Sequence, residues 1–275
     1  MSRRREVESR LDSLAEIQEI LGAMRSLAFT ENRRIANFLE TQRRAFAGME
    51  TALADLLGWY PPGALGPARR LLLVIGSERG FCGDFNESLQ RELAQQGEET
   101  EMVIIGQRLS GHLDEDPRIL VRFDGPSAVD EVETVLLRLS AWLGDYLGAD
   151  DQPRPLRLSV LHHGMREGVP GVSVFEPFDT AGEEGRYSHP PRLNVALPVL
   201  LAQLSDHYLF AALHVVFYES LAAENRQRLQ HVDYALRRIE DTVGALRLRR
   251  NHLRQEEITN EIEMIMLGLE SGVPV

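Results

Sequence analysis

Residues 1–57 carry apolar side chains at the spacing of one long helix. Apolar positions recur every three or four residues, and no proline interrupts them before Pro61. This period is typical of an amphipathic helix or a coiled-coil strand. Gly58 and the Pro61–Gly63 turn end the pattern, and a helix of about 50 residues is roughly 75–80 Å long at 1.5 Å per residue. The stripe comprises Val7, Leu11, Leu14, Ile17, Leu21, Met24, Ala28, Ile35, Phe38, Phe46, Met49, Leu53 and Leu56.

Residues 207–275 repeat this pattern, without a proline between Tyr208 and Val273. Each terminal helix has one apolar stripe and otherwise charged faces, so we predict that the two pair as a long coiled coil. The middle of the chain joins them, so their ends next to it must be close and the pair must be antiparallel. The second stripe comprises Leu209, Leu213, Val216, Phe217, Leu221, Leu229, Val232, Leu236, Ile239, Val243, Leu246, Leu253, Ile258, Ile262, Ile265 and Leu269.

Between the two helices, short apolar runs alternate with helical patterns. This alternation predicts an α/β fold with a small, mostly parallel, Rossmann-like sheet inserted between the two coiled-coil helices. Ser127 and Asp130 resemble a capping box at the start of the longer helix. The predicted domains are 1–57, 58–206 and 207–275. The predicted strands are 71–75, 102–105, 119–121, 156–161 and 172–175, and the predicted helices are 86–95 and 127–147.

The net charge of the 275-residue chain, −12, is concentrated in the middle. Residues 58–206 contribute −10, and the two terminal segments contribute 0 and −2. The acidic excess argues against a nucleic-acid partner, because such binding depends on neutralising phosphates. All 30 basic residues are arginines. The absence of lysine excludes a P-loop nucleotidase and Schiff-base catalysis, both of which need a lysine amine.

The single cysteine, Cys82, indicates a reducing compartment, because it has no partner for an internal disulfide. The first residues are basic, but no apolar segment follows them, so we expect no secretion signal and a cytoplasmic location. The chain has no stretch of 18 uninterrupted apolar residues. We therefore expect no direct insertion into the membrane.

The loop Gly76–Asn86 lies between a predicted strand and a predicted helix, where a backbone can bind phosphate. It lacks the G-x-G-x-x-G pattern and contains two acidic residues, so a tight turn with glycines at positive φ is the favoured interpretation. Cys82 has no histidine within 25 residues to activate it. The eight histidines lack metal-binding spacing, and we interpret the acidic runs 114–116 and 183–184 as solvated loops. We predict no catalytic, cofactor or metal site.

Arg247, Arg250 and Arg254 lie three and four residues apart on the C-terminal helix, and Gln255 and Thr259 extend this polar strip. One interpretation is a solvated helix face. The other is a surface that binds carboxylates on a partner, for which the planar guanidinium is well suited.

Three segments resemble the gamma subunit of F-type (F1Fo) ATP synthases. Residues Ser77–Asn86, S-E-R-G-F-C-G-D-F-N, are similar to the family's S-D-R-G-L-C-G-G-F-N loop. Residues Ile17–Ala28 resemble its Q-I-T-x-A-M-x-M-V-A helix. A spaced pattern from Glu224 to Ile265 matches its C-terminal helix. The departures resemble the alternate, N-type bacterial branch of these ATPases.

The resemblance implies a rotor shaft that couples ion translocation through Fo to ATP synthesis or hydrolysis, without catalytic residues or cofactors of its own. Its implied partners are the alpha and beta subunits of the hexamer, the epsilon subunit and the c-subunit ring. Its implied location is the cytoplasmic side of the bacterial inner membrane, as a peripheral protein. The resemblance places Met24, Arg254, Gln255 and Thr259 against the catch region of a beta subunit, with Arg247 and Arg250 as additional contacts.

Two alternatives stay open from the sequence. One is a small-ligand-binding α/β domain with a coiled-coil oligomerisation stalk, against which the lack of a phosphate loop counts. The other is a generic coiled-coil scaffold, for which the middle domain would be superfluous.

Overall fold

The computed structural model describes residues 3–61, 68–97, 99–113, 116–149, 155–166, 169–178 and 189–270. In chain order, one very long helix precedes a five-stranded sheet and a second very long helix follows it. The helices are α1 (Arg3–Trp59), α2 (Phe85–Leu93), α3 (Gln107–Ser110), α4 (Val132–Gly148) and α5 (Leu197–Glu270), and a 3-10 turn, Val129–Glu131, precedes α4. The strands are β1 (Arg69–Ile75), β2 (Glu101–Ile105), β3 (Ile119–Phe123), β4 (Leu156–Arg166) and β5 (Val169–Phe175).

The chain divides into two compact units. The helical unit consists of Met1–Leu27 and Leu229–Val275, and the sheet unit consists of Ala28–Arg228. Each terminal helix therefore contributes to both units. The predicted boundaries at 57/58 and 206/207 differ from this division, because parts of both helices belong to the core of the sheet.

In the helical unit, α1 and α5 pair in antiparallel fashion. Arg4 forms an ion pair with Glu257 at 2.9 Å, and Arg25 forms one with Asp233 at 2.7 Å. The partner's number falls as the number on α1 rises, so the two helices run in opposite directions. Apolar side chains at the spacing of the predicted stripes lie between them, with Val7, Leu21, Val232 and Val243 buried. The predicted antiparallel pairing is confirmed.

The sheet unit contains one sheet in the order β3-β2-β1-β4-β5. The pairs β1–β2, β1–β4 and β2–β3 are parallel, and β4–β5 is antiparallel. In β1, alternate residues face opposite sides. Leu71, Leu73 and Ile75 pack with the α1, α4 and α5 side chains, and Leu72 and Val74 pack with α2. The mostly parallel sheet predicted from alternating βα units is confirmed.

The C-terminal helix starts at Leu197 and not at 207. Pro198 is compatible with this start, because the first helical turn needs no donor at that position. Every residue of Ala211–Tyr218 is buried, so this part of α5 is apolar on all sides and not on a stripe. It serves as the core helix of the sheet unit. The predicted stripe included Leu213, Val216 and Phe217, but it did not predict the burial of the positions between them.

Two further local predictions were incomplete. The short helix α3 was missed, because four residues carry no periodic signal. The capping box is wrong, because Asp130 accepts hydrogen bonds from Arg34 and the backbone N–H of Ser127 donates to Glu131 at 2.6 Å.

Among the described residues, one helix, Leu197–Leu267, is long and apolar enough to cross a membrane, with an 18-residue window of mean hydropathy 1.4. Buried core helices have the same character. The burial of Ala211–Tyr218 in the sheet unit gives this helix a packing reason for its apolar residues.

Candidate functional site

The loop after β1, residues 76–84, is held by its own side chains and by two glycines. The backbone N–H of Ser77 donates to Asn86 Oδ1 at 3.0 Å, and Asn86 Nδ2 donates to Ser77 Oγ at 2.8 Å. Gly83 has φ +61°, as the turn interpretation requires. Gly76 is needed for space, because a Cβ there would lie 2.3 Å from Leu109 Cβ.

Glu78 occupies the place where an anionic ligand would be expected in such a sheet. Its Oε2 accepts a hydrogen bond from the backbone N–H of Gln107 at 2.9 Å and one from Gly125 at 2.7 Å. Glu78 follows β1, Gln107 follows β2 and Gly125 follows β3, so one carboxylate joins three adjacent loops. Open α/β sheets commonly bind ligands at this carboxyl edge of their strands. Here the chain's own carboxylate accepts the hydrogen bonds of the backbone N–H groups at this edge.

A buried group on α5 holds the same loop from the other side. Arg228 Nε donates to the Gly80 carbonyl at 3.2 Å, and Arg228 Nη1 donates to Asn225 Oδ1 at 2.8 Å. Arg228 also forms an ion pair with Glu224. Glu224 is 4% exposed, and the neighbouring backbone of Glu78 and Arg79 favours its charged carboxylate. Burial raises the pKa of the Glu224 carboxyl, and the Arg228 charge opposes that rise.

On the other terminal helix, Glu31 and Arg34 hold the start of α4. Glu31 is 8% exposed, and its Oε1 accepts a hydrogen bond from the backbone N–H of Val129 at 2.8 Å. Arg34 donates to both oxygens of Asp130 at 3.0 Å. A carboxylate at this position stabilises the start of the helix through its free N–H groups.

Sequence reasoning missed Glu31 and gave Glu224 and Arg228 only through the resemblance. A signal was present, because all three lie on the apolar stripes, at the spacing that continues Ala28 to Ile35 and Leu221 to Val232. A charged residue at a stripe position is buried, and a buried charge needs specific partners.

Cys82 is buried and lies against the loop backbone, with Sγ 3.7 Å from the Arg79 carbonyl oxygen. Burial raises the pKa of its thiol, which disfavours the reactive thiolate. The structure thus gives it a packing role.

The adjacent histidines His162 and His163 point to opposite sides of β4. His162 Nδ1 lies 3.1 Å from the His163 carbonyl oxygen, and Glu219 is a carboxylate close to its ring. His163 Nε2 lies 2.9 Å from the Phe85 carbonyl oxygen, and its ring stacks on Phe85. Within the described ranges, no group of three or more His, Cys, Asp or Glu could hold a metal ion. Residues 114, 115, 183 and 184 of the acidic runs lie outside those ranges.

Burial lowers the pKa of both His162 and His163. Between the lowered pKa and the unfolded value of about 6.5, the unfolded chain binds more protons than the folded one. We expect the free energy of unfolding to fall as pH drops below about 6.5, by up to about 1.4 kcal/mol per pH unit for each histidine. Denaturation monitored between about pH 7.5 and 5.5 tests this. His163→Gln should flatten the dependence; an equal slope for this variant and the unmodified protein would contradict the assignment.

The residues predicted to contact a partner lie in the helical unit, at two separate levels. Arg247, Arg254, Gln255 and Thr259 are exposed, and Arg250 is partly buried. Within the described part of the chain, Arg247, Arg250 and Arg254 have no carboxylate within ion-pair distance. Thr259 Oγ1 donates to the Gln255 carbonyl at 2.9 Å.

Met24 is not close to Arg254. The ion pair of Arg25 with Asp233 places Met24 opposite α5 residues near 234, whereas that of Arg4 with Glu257 places Arg254 opposite the start of α1. The roughly 20 residues between these levels span about 30 Å of helix. A single contact patch containing Met24 and Arg254 is therefore excluded within this unit.

Beyond Glu257, α5 continues past the described start of α1 and exposes apolar side chains. They are 46–73% exposed. A concentration of exposed apolar side chains marks a surface that is covered by a partner. The exposed set is Ile258, Ile262, Met264, Ile265, Met266 and Leu267; we call it the apolar tip.

Comparison with known proteins identifies the family. A family model described as ATP synthase matches residues 3–271. The ATP synthase gamma chain of Dinoroseobacter shibae is 25% identical, with 97% of this chain and 98% of that one covered. The gamma chain of Saccharopolyspora erythraea is 26% identical, with 98% of both chains covered. The chain belongs to the gamma-subunit family of F-type ATP synthases. Its function is that of the central rotor stalk.

Chains of solved ATP synthase structures share the fold. One from the Euglena gracilis mitochondrial ATP synthase rotor has a TM-score of 0.64 and 13% identity, with 93% of this chain and 98% of that chain covered. One from the OSCP/F1/c-ring assembly of the same enzyme has a TM-score of 0.66 and 14% identity, with coverage of 99% and 97%. As a gamma-family member, the chain belongs to the peripheral, membrane-associated F1 part of the enzyme. The family assignment replaces the two alternatives left open by the sequence, a small-ligand-binding domain and a generic coiled-coil scaffold.

Proposed function

We propose that this gamma-family chain is the non-catalytic shaft of a bacterial enzyme and couples ion translocation through Fo to ATP synthesis or hydrolysis. Its partners are the alpha and beta subunits of the hexamer, the epsilon subunit and the c-subunit ring. It lies on the cytoplasmic side of the inner membrane, as a peripheral subunit. The buried, packed state of Cys82, His162 and His163 supports a non-catalytic role.

The helical unit is the part that we assign to the hexamer. The apolar tip and the exposed arginines lie on one stretch of α5, so a partner there must offer both apolar side chains and carboxylates. The terminal segments 1–57 and 207–275 carry charges of 0 and −2. A nearly neutral shaft is suited to turning in a sleeve, because net charge does not favour one angular position.

The exposure of Arg254, with Gln255 and Thr259 beside it, is the observation on which this assignment rests. Its side chain is exposed, and no carboxylate of the described ranges lies within ion-pair distance of it, so a carboxylate of a beta subunit can accept both prongs of its guanidinium. Arg247 and Arg250 are the neighbouring cations available for further contacts. Met24, about 30 Å away along the helix, contacts a different level of the hexamer.

We expect Arg254→Ala to lower the ATPase turnover of the assembled complex at least about ten-fold, because a charge-assisted hydrogen bond contributes about 1.5–3 kcal/mol. Turnover is measured on complexes purified through the alpha subunit, after quantifying this chain in each preparation. Arg249→Ala, an exposed arginine on the same helix, is the matched control and should turn over normally. Unchanged turnover of an assembled Arg254→Ala complex would remove the assignment.

A further inference from the structure

Three carboxylates tie both terminal helices to the carboxyl edge of the sheet. Glu31 on α1 accepts the backbone N–H of Val129, and Glu78 accepts those of Gln107 and Gly125. On α5, Arg228 donates to the Gly80 carbonyl at 3.2 Å and forms an ion pair with Glu224. We call this set the edge network; it comprises Glu31, Glu78 and Glu224 with the arginines Arg34 and Arg228.

The edge network forms a continuous path between the two helices inside the sheet unit. From Glu31 on α1 it passes to Val129, then along the short segment back to Gly125, and across to the Glu78 carboxylate. From Glu78 it passes along the loop to the Gly80 carbonyl, which accepts a hydrogen bond from Arg228 on α5. The ion pair of Arg43 with Glu219, at 2.6 Å, sets the pairing of α1 and α5 in this unit. In that pairing Glu31 lies at about the level of Arg228. Both helices therefore contact the sheet edge at the same level along their axes.

This path differs in kind from the apolar contacts around it. Apolar burial depends on area and has no preferred direction, so it opposes separation of two surfaces more than rotation. Hydrogen bonds weaken steeply when their angle changes. Glu31, Glu224 and Arg228 are buried and Glu78 is half-buried. A buried polar network whose groups are satisfied is rigid and favours one arrangement. The sheet can therefore rotate about the helix pair only by breaking bonds at both helices.

We propose that the edge network is the joint through which torque passes between the sheet and the helix pair of this rotor. The inference rests on the rotor function given above. Its residues position the two parts against each other and touch no substrate. The edge of the sheet that serves ligand binding in other α/β proteins serves mechanical coupling in this one.

The test is the torsional stiffness of the assembled rotor. The hexamer is fixed to a surface, rotation is halted by removal of ATP, and a nanoparticle reports the angle of the sheet. It is attached through Leu137→Cys, on an exposed position of α4; the native Cys82 is buried. We expect the angular variance of Glu31→Ala/Glu78→Ala to rise at least about two-fold, because both carboxylate links between α1 and the β1 loop are lost.

Two controls separate stiffness from stability. Glu40→Ala removes an exposed carboxylate from α1, and Val135→Ala weakens the core of α4 without touching the edge network; both should keep the variance of the unmodified rotor. If the double alanine variant does not assemble, the single variants Glu31→Ala and Glu78→Ala decide, because each removes one of the two links, and the variance of each should lie above that of the unmodified rotor. An assembled alanine variant with unchanged variance would overturn the inference. Failure of the unmodified chain to assemble with the hexamer would instead overturn the rotor function.

Discussion

Replacing Arg228 with methionine is expected to destabilise the sheet unit by about 3–5 kcal/mol, because it leaves the Glu224 carboxylate buried without its cation. Glu224 is 4% exposed and Arg228 is 6% exposed, so water cannot take the place of the lost guanidinium. The Gly80 carbonyl and Asn225 Oδ1 lose a donor as well. The measurement is urea denaturation of the full chain followed by tryptophan fluorescence, since Trp59 and Trp142 both lie in the sheet unit.

Glu224→Gln/Arg228→Met is the informative companion. Glutamine keeps the size of the side chain and an acceptor oxygen, and no unpaired charge remains. This double variant should recover about 2 kcal/mol relative to Arg228→Met, since the uncompensated charge is the largest part of the loss. A single variant that costs less than about 1 kcal/mol would show that the pair is solvated like a surface salt bridge.

Gly106→Ala is expected to cost about 3 kcal/mol or more, through strain and overlap together. Gly106 has φ +109°, which side chains rarely adopt, and a Cβ there would lie 2.7 Å from the Gly76 carbonyl oxygen and 2.9 Å from that of Ser77. Both contacts are with backbone that follows β1, so neither can be relieved by a side-chain rotation. The same denaturation measurement applies.

Gly144→Ala provides the control for this second prediction. Gly144 lies inside α4, and among the described residues no atom beyond the helix's own backbone and its chain neighbours lies within 4 Å of the position that a Cβ would take. Alanine there should be neutral or should stabilise by up to about 1 kcal/mol, because alanine favours the helix. If Gly106→Ala were as mild as Gly144→Ala, the close approach of the β1 and β2 loops would be refuted.

The main elements of the fold could be predicted from periodicity, because burial imposes it. In the stripe through Val7 and Leu21 and in the apolar run of β1, the apolar positions indicate directly which face of the helix or strand is buried. The beginning of α5 was placed too late, because residues 197–206 form a nearly continuous apolar run that contains Pro198 and shows no stripe. Helix α3 is too short for a period to be visible.

The candidate site could be predicted only in part, for a different reason. Arg228 donates to Gly80 across 148 positions of sequence, and no local pattern specifies such a pairing. Glu31 reaches Val129 across 98 positions. The sequence indicates that these charges lie at buried positions, but their partners are set by the topology of the sheet. The contacts of Arg254, Gln255 and Thr259 depend on another chain and stay predictions.

The antiparallel pairing of α1 and α5 also constrains how the chain matures during synthesis. Arg4 meets Glu257 across 253 positions, and at about 5–20 residues per second that interval takes a ribosome roughly 13–50 s. During this time the first turns of α1 have an apolar stripe and no partner, whereas every strand of the described sheet has already emerged. The sheet can therefore fold first, and the helical unit closes last, when the final residues leave the ribosome. Premature termination between residues 228 and 257 would leave a folded sheet with unpaired, aggregation-prone turns of α1.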